Sequence, residues 1–443
     1  MGSFLSKKLP MFIVVVGAII AAGVSSAQGL ETTGQLRGTW AGRQAAGSGP
    51  LAQANALVPG VTPVQPSAAT VQAELRSAAR LGDVAIHTSI TLQHQHPEGG
   101  PGQSDAWVNE AALSGSLGGG DGAGAASGWS WSVGKQVVSW DVGYAFRPND
   151  VVQQEARRTL SPATLEGRPL LMAEHFSADT AWSLVWVNPT RGKVLAGIGQ
   201  SADEAALAAR VYQRAGSADW HGFARWGRRT GGSVGAAVSW VASDALELHA
   251  SLRRYAHVDA LVAADTASAA PPGTALRTTN TWQTALTGAG QQVLVGGTWT
   301  ADNQISLLAE AWYDGAALSK AQWAQWAARN QGLPAWGPLG APTQAVAGNL
   351  AWQGSAFGAT STGNLHRQNL YARLSWTHEG WQPAIDVLYH PADRGRMLTA
   401  SLTWQGDRIK LEGGVRVNGG PATAVVRQLP VHKQGYVMGI WAF

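Results

Sequence analysis

The chain has 443 residues, 14% of them charged and 45% hydrophobic, with a mean hydropathy of −0.07 and a formal charge of +4. These values exclude a disordered chain, which needs more charge and fewer apolar groups, and a helical membrane bundle, which needs far higher hydropathy. With no Cys the sequence also excludes disulfide scaffolds, zinc ribbons, iron–sulfur sites, a Cys nucleophile and a lipidated Cys, while 55 Gly and 21 Trp make long solvated helices an unsuitable building material.

At the start of the chain, Lys7 and Lys8 precede an apolar run from Met11 to Val24, and Ser25, Ser26 and Ala27 follow. A charged segment, a short greasy segment and small residues are what an export signal requires, so residues 1–27 are expected to be cleaved and 28–443 to form the mature protein. The alternative, a retained anchor helix, is disfavoured because the run is short for a span and no charge cluster follows it. Removing residues 1–27 takes away two Lys and no acid, leaving 30 basic and 28 acidic groups. That balance gives no electrostatic footprint for a nucleic-acid partner. No later apolar run is long enough for a spanning helix, so a membrane location demands a closed sheet.

From there on, stretches of about ten residues alternate apolar and polar side chains between turn residues, the pattern of a transmembrane barrel. Between Asp83 and Gln93, the residues Val84, Ile86, Thr88, Ile90 and Leu92 share one face. From Arg408 to Asn418, Ile409, Leu411, Gly413, Val415 and Val417 lie opposite Arg408, Lys410, Glu412, Gly414, Arg416 and Asn418. Strands are expected at 29–43, 70–81, 83–94, 105–117, 128–138, 168–176, 179–188, 204–214, 219–229, 232–241, 244–257, 284–300, 303–314, 365–377, 380–390, 395–405, 407–417 and 433–443. The fold class is therefore all-β: an antiparallel up-and-down barrel of about 18 strands, within 16–20, with long external loops. Tight periplasmic turns fall at 81–83, 242–244, 301–303 and 405–407, and outer loops at 44–69, 139–167, 258–283, 315–364 and 418–432. The Gly-rich stretch 115–128 is the one long connection on the turn side. Residues 279–288 and 345–353 could each be a further strand; accepting both gives 20 and accepting one breaks the even count. Residues 319–329 read as a short helix capped at Ser319, either folded over the mouth or a passive surface turn.

Thirteen Trp, at 129, 131, 182, 186, 220, 226, 240, 299, 312, 376, 381, 404 and 441, fall mostly near strand ends, where an aromatic girdle meets the headgroups. The chain stops on a strand in which Val437, Trp441 and Phe443 share a face. Its terminal aromatic residue resembles the signal that outer-membrane barrels present to the barrel assembly machinery, and assigns Trp441 and Phe443 to that role. The expected surroundings are outer-membrane lipid and lipopolysaccharide, with the protein a monomer.

Alternation also nominates the residues that line a lumen: Arg76, Arg80, Arg210, Arg214, Arg253, Arg367, Arg373, Arg408, Lys410 and Arg416, with Glu74, Glu247, Glu310 and Glu412 and with His87 and His249 among them. After residue 27 there are 25 Arg and five Lys. Arg keeps its charge and offers a planar fork for carboxylates and phosphates, so one reading is a passage for small polar or anionic solutes or a polysaccharide. The other is that these cations pair with acids across strands and only stiffen the wall. The segment 134–152, GKQVVSWDVGYAFRPNDVV, runs from a strand into a long loop. Folded inward, that loop would place Trp140, Asp141, Arg147, Asp150, Arg157 and Arg158 at a constriction, with Arg opposed to Asp across the water path; left outside, it would cap the rim.

This segment resembles the strand-to-loop region of the alginate-export-type outer-membrane porins, and VGGTWTADNQISLLAEAWYDG at 295–315 resembles their late hairpin. The likeness covers about a tenth of the chain. It implies a monomeric barrel of similar strand number that passes charged polysaccharide or small solutes through an Arg-rich lumen. Lys135 stands where Arg is commoner in that family and Asp141 where Gly is usual, and no dense Arg/Lys motif points to alginate itself.

Catalytic signatures are missing from the sequence. It has no Gly-x-Ser-x-Gly elbow, no His-Glu-x-x-His and no phosphate-binding Gly loop, and His94 and His96 lack a third metal ligand. No catalytic residue, metal or cofactor is therefore assigned, and the expected function is a porin rather than an enzyme. A barrel hydrolase built from loop residues, or a barrel sheathing a periplasmic partner, are the competing classes.

Overall fold

The computed structural model describes residues 30–117, 128–153, 160, 164–188, 204–263, 276–357 and 363–443. The expected export signal, Arg157, Arg158 and the middle of the Gly-rich connection lie outside the described residues.

Eighteen antiparallel strands form one sheet that closes on itself. They are β1 (Glu31–Ala45), β2 (Ser67–Leu81), β3 (Val84–Pro97), β4 (Gln103–Leu117), β5 (Gly128–Gln136), β6 (Arg168–Phe176), β7 (Thr180–Val187), β8 (Ala206–Ala215), β9 (Ala218–Gly227), β10 (Gly231–Ser243), β11 (Leu246–Tyr255), β14 (Gly290–Thr300), β15 (Ile305–Asp314), β16 (Gln368–Trp376), β17 (Trp381–His390), β18 (Gly395–Gln405), β19 (Ile409–Gly419) and β20 (Val431–Ala442). Each pairs with the next of these eighteen, β11 with β14 across an inserted hairpin, and β20 pairs with β1 from Gln35↔Ala442 to Ala45↔Val431, which closes the ring. Every strand expected from alternation is present, and the barrel count is 18.

The two ambiguous segments resolve differently from the barrel strands. β13 (Trp282–Thr287) is a strand of its own, so the expected run 284–300 is interrupted, and it pairs with β12 (Val258–Ala263) in a hairpin separate from the ring. The second segment is not a strand: it lies in the helix α3 (Thr343–Ser355). Its mix of Ala, Gly, Val and Leu carries no decisive period, and an apolar run of that length reads either way. The ring keeps its even count because both insertions sit in connections.

The outward face is an apolar belt. Ile90, Leu184, Leu248, Val295, Leu374, Ile385 and Leu402 are exposed, as are Trp129, Trp182, Trp186, Trp220, Trp226, Trp240, Trp299, Trp376, Trp381 and Trp441 near the rims. On a water-soluble protein such a belt would be a standing aggregation site, whereas around a barrel it matches a bilayer. One Trp departs from the girdle expectation. Trp312 is buried on the inner face, stacked on Phe146 with ring centroids 5.7 Å apart, and its indole N–H donates to Asn364 Oδ1 at 3.1 Å. Among the described residues no helix is long and apolar enough to cross a membrane.

At the end of the barrel with the long loops, four connections fold together. They contribute α1 (Pro50–Leu57), the β12–β13 hairpin, α2 (Lys320–Gly332) with α3, and the short 3-10 turn Val425–Gln428. Helix α2 begins where the sequence places it: Ser319 Oγ accepts from Gln322 N while the Gln322 side chain accepts from Ser319 N, a reciprocal cap. The assembly has two apolar cores of its own. Leu51 and Ala54 pack with Leu333, Val346, Leu350 and Ala351, and Trp282, Trp323, Trp326 and Phe357 pack with Leu318 and Val425. Asn349 ties α3 to the hairpin connection, accepting from Arg277 N at 2.9 Å and donating to Arg277 O at 3.0 Å. The connections that carry α1 and the hairpin are rooted ten strands apart one way around the ring and eight the other, so this cap crosses the mouth.

Candidate functional site

The segment after β5 turns into the barrel. Its two faces are apolar and each meets an inner wall. Val138, Trp140, Val151 and Val152 pack on Leu170, Val185, Val187, Ala206, Ala208, Phe223 and Ala237 of β6–β10, while Ala145 and Phe146 pack on Leu294, Leu308, Trp312, Tyr371 and Leu388 of β14–β17. The inner face is thus not polar throughout. Where the loop lies, the loop-end halves of β7 and β8 are apolar on both sides: Val185 and Val187 line β7, and in β8 Ala206 and Ala208 give way to Arg210, Tyr212 and Arg214. That two-sided run is the sequence signal for a covered inner wall.

Polar clamps fix the loop between these apolar contacts. Glu310 accepts from the backbone N–H groups of Tyr144 and Ala145 at 2.6 and 2.7 Å, and its carboxylate also meets His249 Nε2 at 3.0 Å. Asn149 donates to Ser251 Oγ at 2.9 Å and to Leu252 O at 3.1 Å, and it comes so close to Gly235 that a Cβ there would collide with the Asn149 amide. Ser251 Oγ donates to Asp141 at 2.7 Å. Arg253 reaches Pro148 O and Ser233 Oγ, both at 3.3 Å, and is buried. It holds the loop against the wall.

Asp141 and Asp150 are turned toward protein, not toward the passage. Asp150 Oδ1 accepts from Ser139 Oγ and Trp140 N, each at 3.0 Å, and Asp141 accepts from Val142 N at 2.9 Å and Asn149 N at 2.5 Å. Burial pushes the Asp150 carboxyl up to about 6 against the pull of nearby Arg147, and burial likewise raises Asp141 against its hydrogen bonds. Arg147 bonds to Gly143 O at 2.6 Å and to Ser139 Oγ, closing the loop on itself. Trp140 is buried in the β6–β10 cluster.

Opposite the β6–β10 sector the inner wall is polar. Register places Arg373, Asp386, Thr399, Arg416, Gln434 and Arg43 in one lateral row across β16–β20 and β1. Arg373 lies 3.5 Å from Asp386, and Arg416 Nε donates to Thr399 Oγ1 at 3.1 Å. Toward the turn end, Lys410 pairs with Glu412 at 2.9 Å, Tyr436 donates to Glu412, Arg37 reaches Gln72 at 3.4 Å and Arg76 pairs with Glu74 at 2.7 Å. Tyr144, exposed at the loop's tip, stacks over Tyr371 at 6.3 Å, so the loop presents a phenol ring beside the Arg373–Arg416 row. Arg37, Arg43, Tyr144, Tyr371 and Tyr436 were not among the residues nominated by charge and alternation. The first two fall in a Gly-rich strand with little contrast between faces, and a Tyr carries no sign to read.

The remaining nominated cations are dispersed. Arg210 lies 3.4 Å from His221, Arg214 pairs with Asp219 at 3.5 Å, and Arg367 donates to Ala317 O at 3.1 Å under the cap. Arg80 is the last residue but one of β2, and Arg408 sits in the turn before β19, where its carbonyl accepts from Ala442 N. Among the described residues no three His, Asp or Glu side chains gather as metal ligands; His94 Nδ1 is instead 2.8 Å from Ser104 Oγ.

No protein-family profile matches the sequence, and no curated protein does. Solved structures do share its fold. OccK5 (OpdH) of Pseudomonas aeruginosa is 7% identical, aligned over 94% of this chain and 98% of its own, with a TM-score of 0.50. A mutant of the Rh. blastica porin is 10% identical over 94% of this chain and all of its own, with a TM-score of 0.43. At 7% identity the likeness to OccK5 is one of fold.

Proposed function

We propose that this protein is a channel of the bacterial outer membrane, exported by its N-terminal signal, through which polar solutes pass with a preference for anions or polyhydroxylated molecules. The observation that carries this reading is the closed ring with an apolar belt outside and, inside, a lateral row of three Arg, one Asp, Thr and Gln facing a folded loop. A ring of mostly positive side chains at a narrowed section favours anions, and the Arg fork and Tyr rings suit carboxylates and sugar faces. The short resemblance to alginate-export-type porins agrees with a polyhydroxylated anion as cargo. Planar-bilayer recordings test it. Stepwise conductance with an anion-selective reversal potential is expected, and Arg373→Gln with Arg416→Gln should move that potential toward the cation side. A bilayer that stays silent with correctly folded protein removes the channel reading, and an unmoved potential removes the role of the Arg row.

A further inference from the structure

The outward face carries a feature that neither the passage nor the belt explains. On β11, Arg254 follows Leu248 and Leu252 on the outward side, and Arg228 leaves β9 just beyond outward Trp226; both guanidinium groups are exposed at the loop end. Among the described residues neither side chain meets a carboxylate, whereas their neighbours are engaged: Arg225 pairs with Glu204 at 2.9 Å and Arg229 pairs with Asp259. Beside these two cations the sheet surface is hollow. One groove of about 470 Å³ is lined by Leu207, Ala209, Ala224, Trp226, Val234 and Arg254, among others, and a second of about 350 Å³ lies on the other side of Trp226, against Trp186 and Arg228. Small side chains at 209 and 224 make the trough, and the Trp226 ring leans over Gly232, where a Cβ would lie 3.2 Å from it.

We infer that this face is a binding site for a phosphorylated glycolipid of the outer leaflet, its phosphate held by Arg254 and Arg228 and an acyl chain lying in the groove beside Trp226. This rests on the outer-membrane reading, which puts the loop end outside. Charge complementarity selects the headgroup: two guanidinium groups that meet no carboxylate among the described residues, beside an outward Trp, suit a phosphate, and the hollow next to each suits a hydrocarbon chain. An ordinary belt position has no use for an Arg, since a charge on the lipid face costs free energy unless a headgroup meets it.

The test uses native mass spectrometry of the full barrel in detergent, titrated with phosphorylated lipid A or with its dephosphorylated form. The site predicts retention of the phosphorylated lipid, with R228Q/R254Q weakening it about tenfold or more, since each surface cation contributes on the order of 1 kcal/mol toward an anionic lipid. Ala209→Trp, which fills the groove and keeps both charges, should weaken it as well. Equal retention by wild type and R228Q/R254Q, or equal retention of the two lipids, overturns the proposal. Heat-dependent gel mobility and unit conductance of the same preparations report folding and channel activity separately. A silent barrel that still distinguishes the lipids therefore counts against the channel alone.

Discussion

Asp150 is the side chain whose chemistry most directly sets how firmly the inner loop is held. Its carboxyl is buried and lies beside the equally buried Asp141, and burial raises it from 3.8 to about 6. A carboxyl raised in the folded state keeps a proton that the released loop would lose. Its contribution is therefore fully present below about pH 4 and is lost as pH rises through about 6. Asp141 acts in the same direction. The loop should be held more tightly at pH 5 than at pH 7.5, with fewer brief closures and less open-channel noise at the lower pH; Asp150→Asn should flatten that dependence. Noise that is the same at both values, or an unchanged dependence in the variant, would show that the anchor lies elsewhere. These roles were only partly legible in the sequence. Charge and alternation identified Asp141, Asp150 and Arg253, but alternation says which face a side chain takes and not whether water or a folded segment waits there. Arg253 is on the nominated face and spends its donors on Pro148 O and Ser233.

The strands were readable because each must satisfy lipid on one side, and that requirement writes a period of two into the chain. Elements released from it were harder to read. β12, β13 and α3 belong to the cap, where packing against other loops replaces packing against lipid, so neither the barrel period nor a strong amphipathic stripe remains. Ser319 was legible because capping is local chemistry. The cap's separate cores also mean that it can be loosened without opening the ring. Trp326 is buried edge-on to Trp323 at 5.3 Å and donates to Gln353 O at 3.1 Å. Trp326→Ala should cost the cap about 3–5 kcal/mol. The barrel should keep its heat-dependent gel shift while the cap becomes sensitive to protease and the unit conductance rises. A protease-sensitive cap with unchanged conductance would mean that the cap crosses the mouth without limiting flow.

Closure is a property of the whole molecule, and the β1–β20 seam that makes it ends on the pair Gly34–Phe443. Gly34 and Phe443 exchange both backbone hydrogen bonds, at 2.8 and 2.9 Å, and the Phe443 ring lies where a Cβ on Gly34 would be, 2.6 Å from that position. The ring thus covers a glycine at the end of the β1–β20 pairing, the arrangement by which an aromatic side chain compensates for the missing one, and Trp441 packs against it at 5.0 Å. In the sequence the same residue resembles a signal to the assembly machinery. The contact supplies a physical role at the seam that would operate without any machinery. The two roles separate in a purified system. Phe443→Ala, refolded into detergent with no assembly proteins present, should lower the urea midpoint through a loss of about 1–2 kcal/mol, below the cost of a fully buried Phe because this ring is only half-buried. The change should fall on unfolding of the β1–β20 seam, read by the loss of heat-resistant gel mobility at lower urea. Equal midpoints in vitro, with poor assembly only in cells, would assign Phe443 to recognition and leave the seam to its backbone pairs.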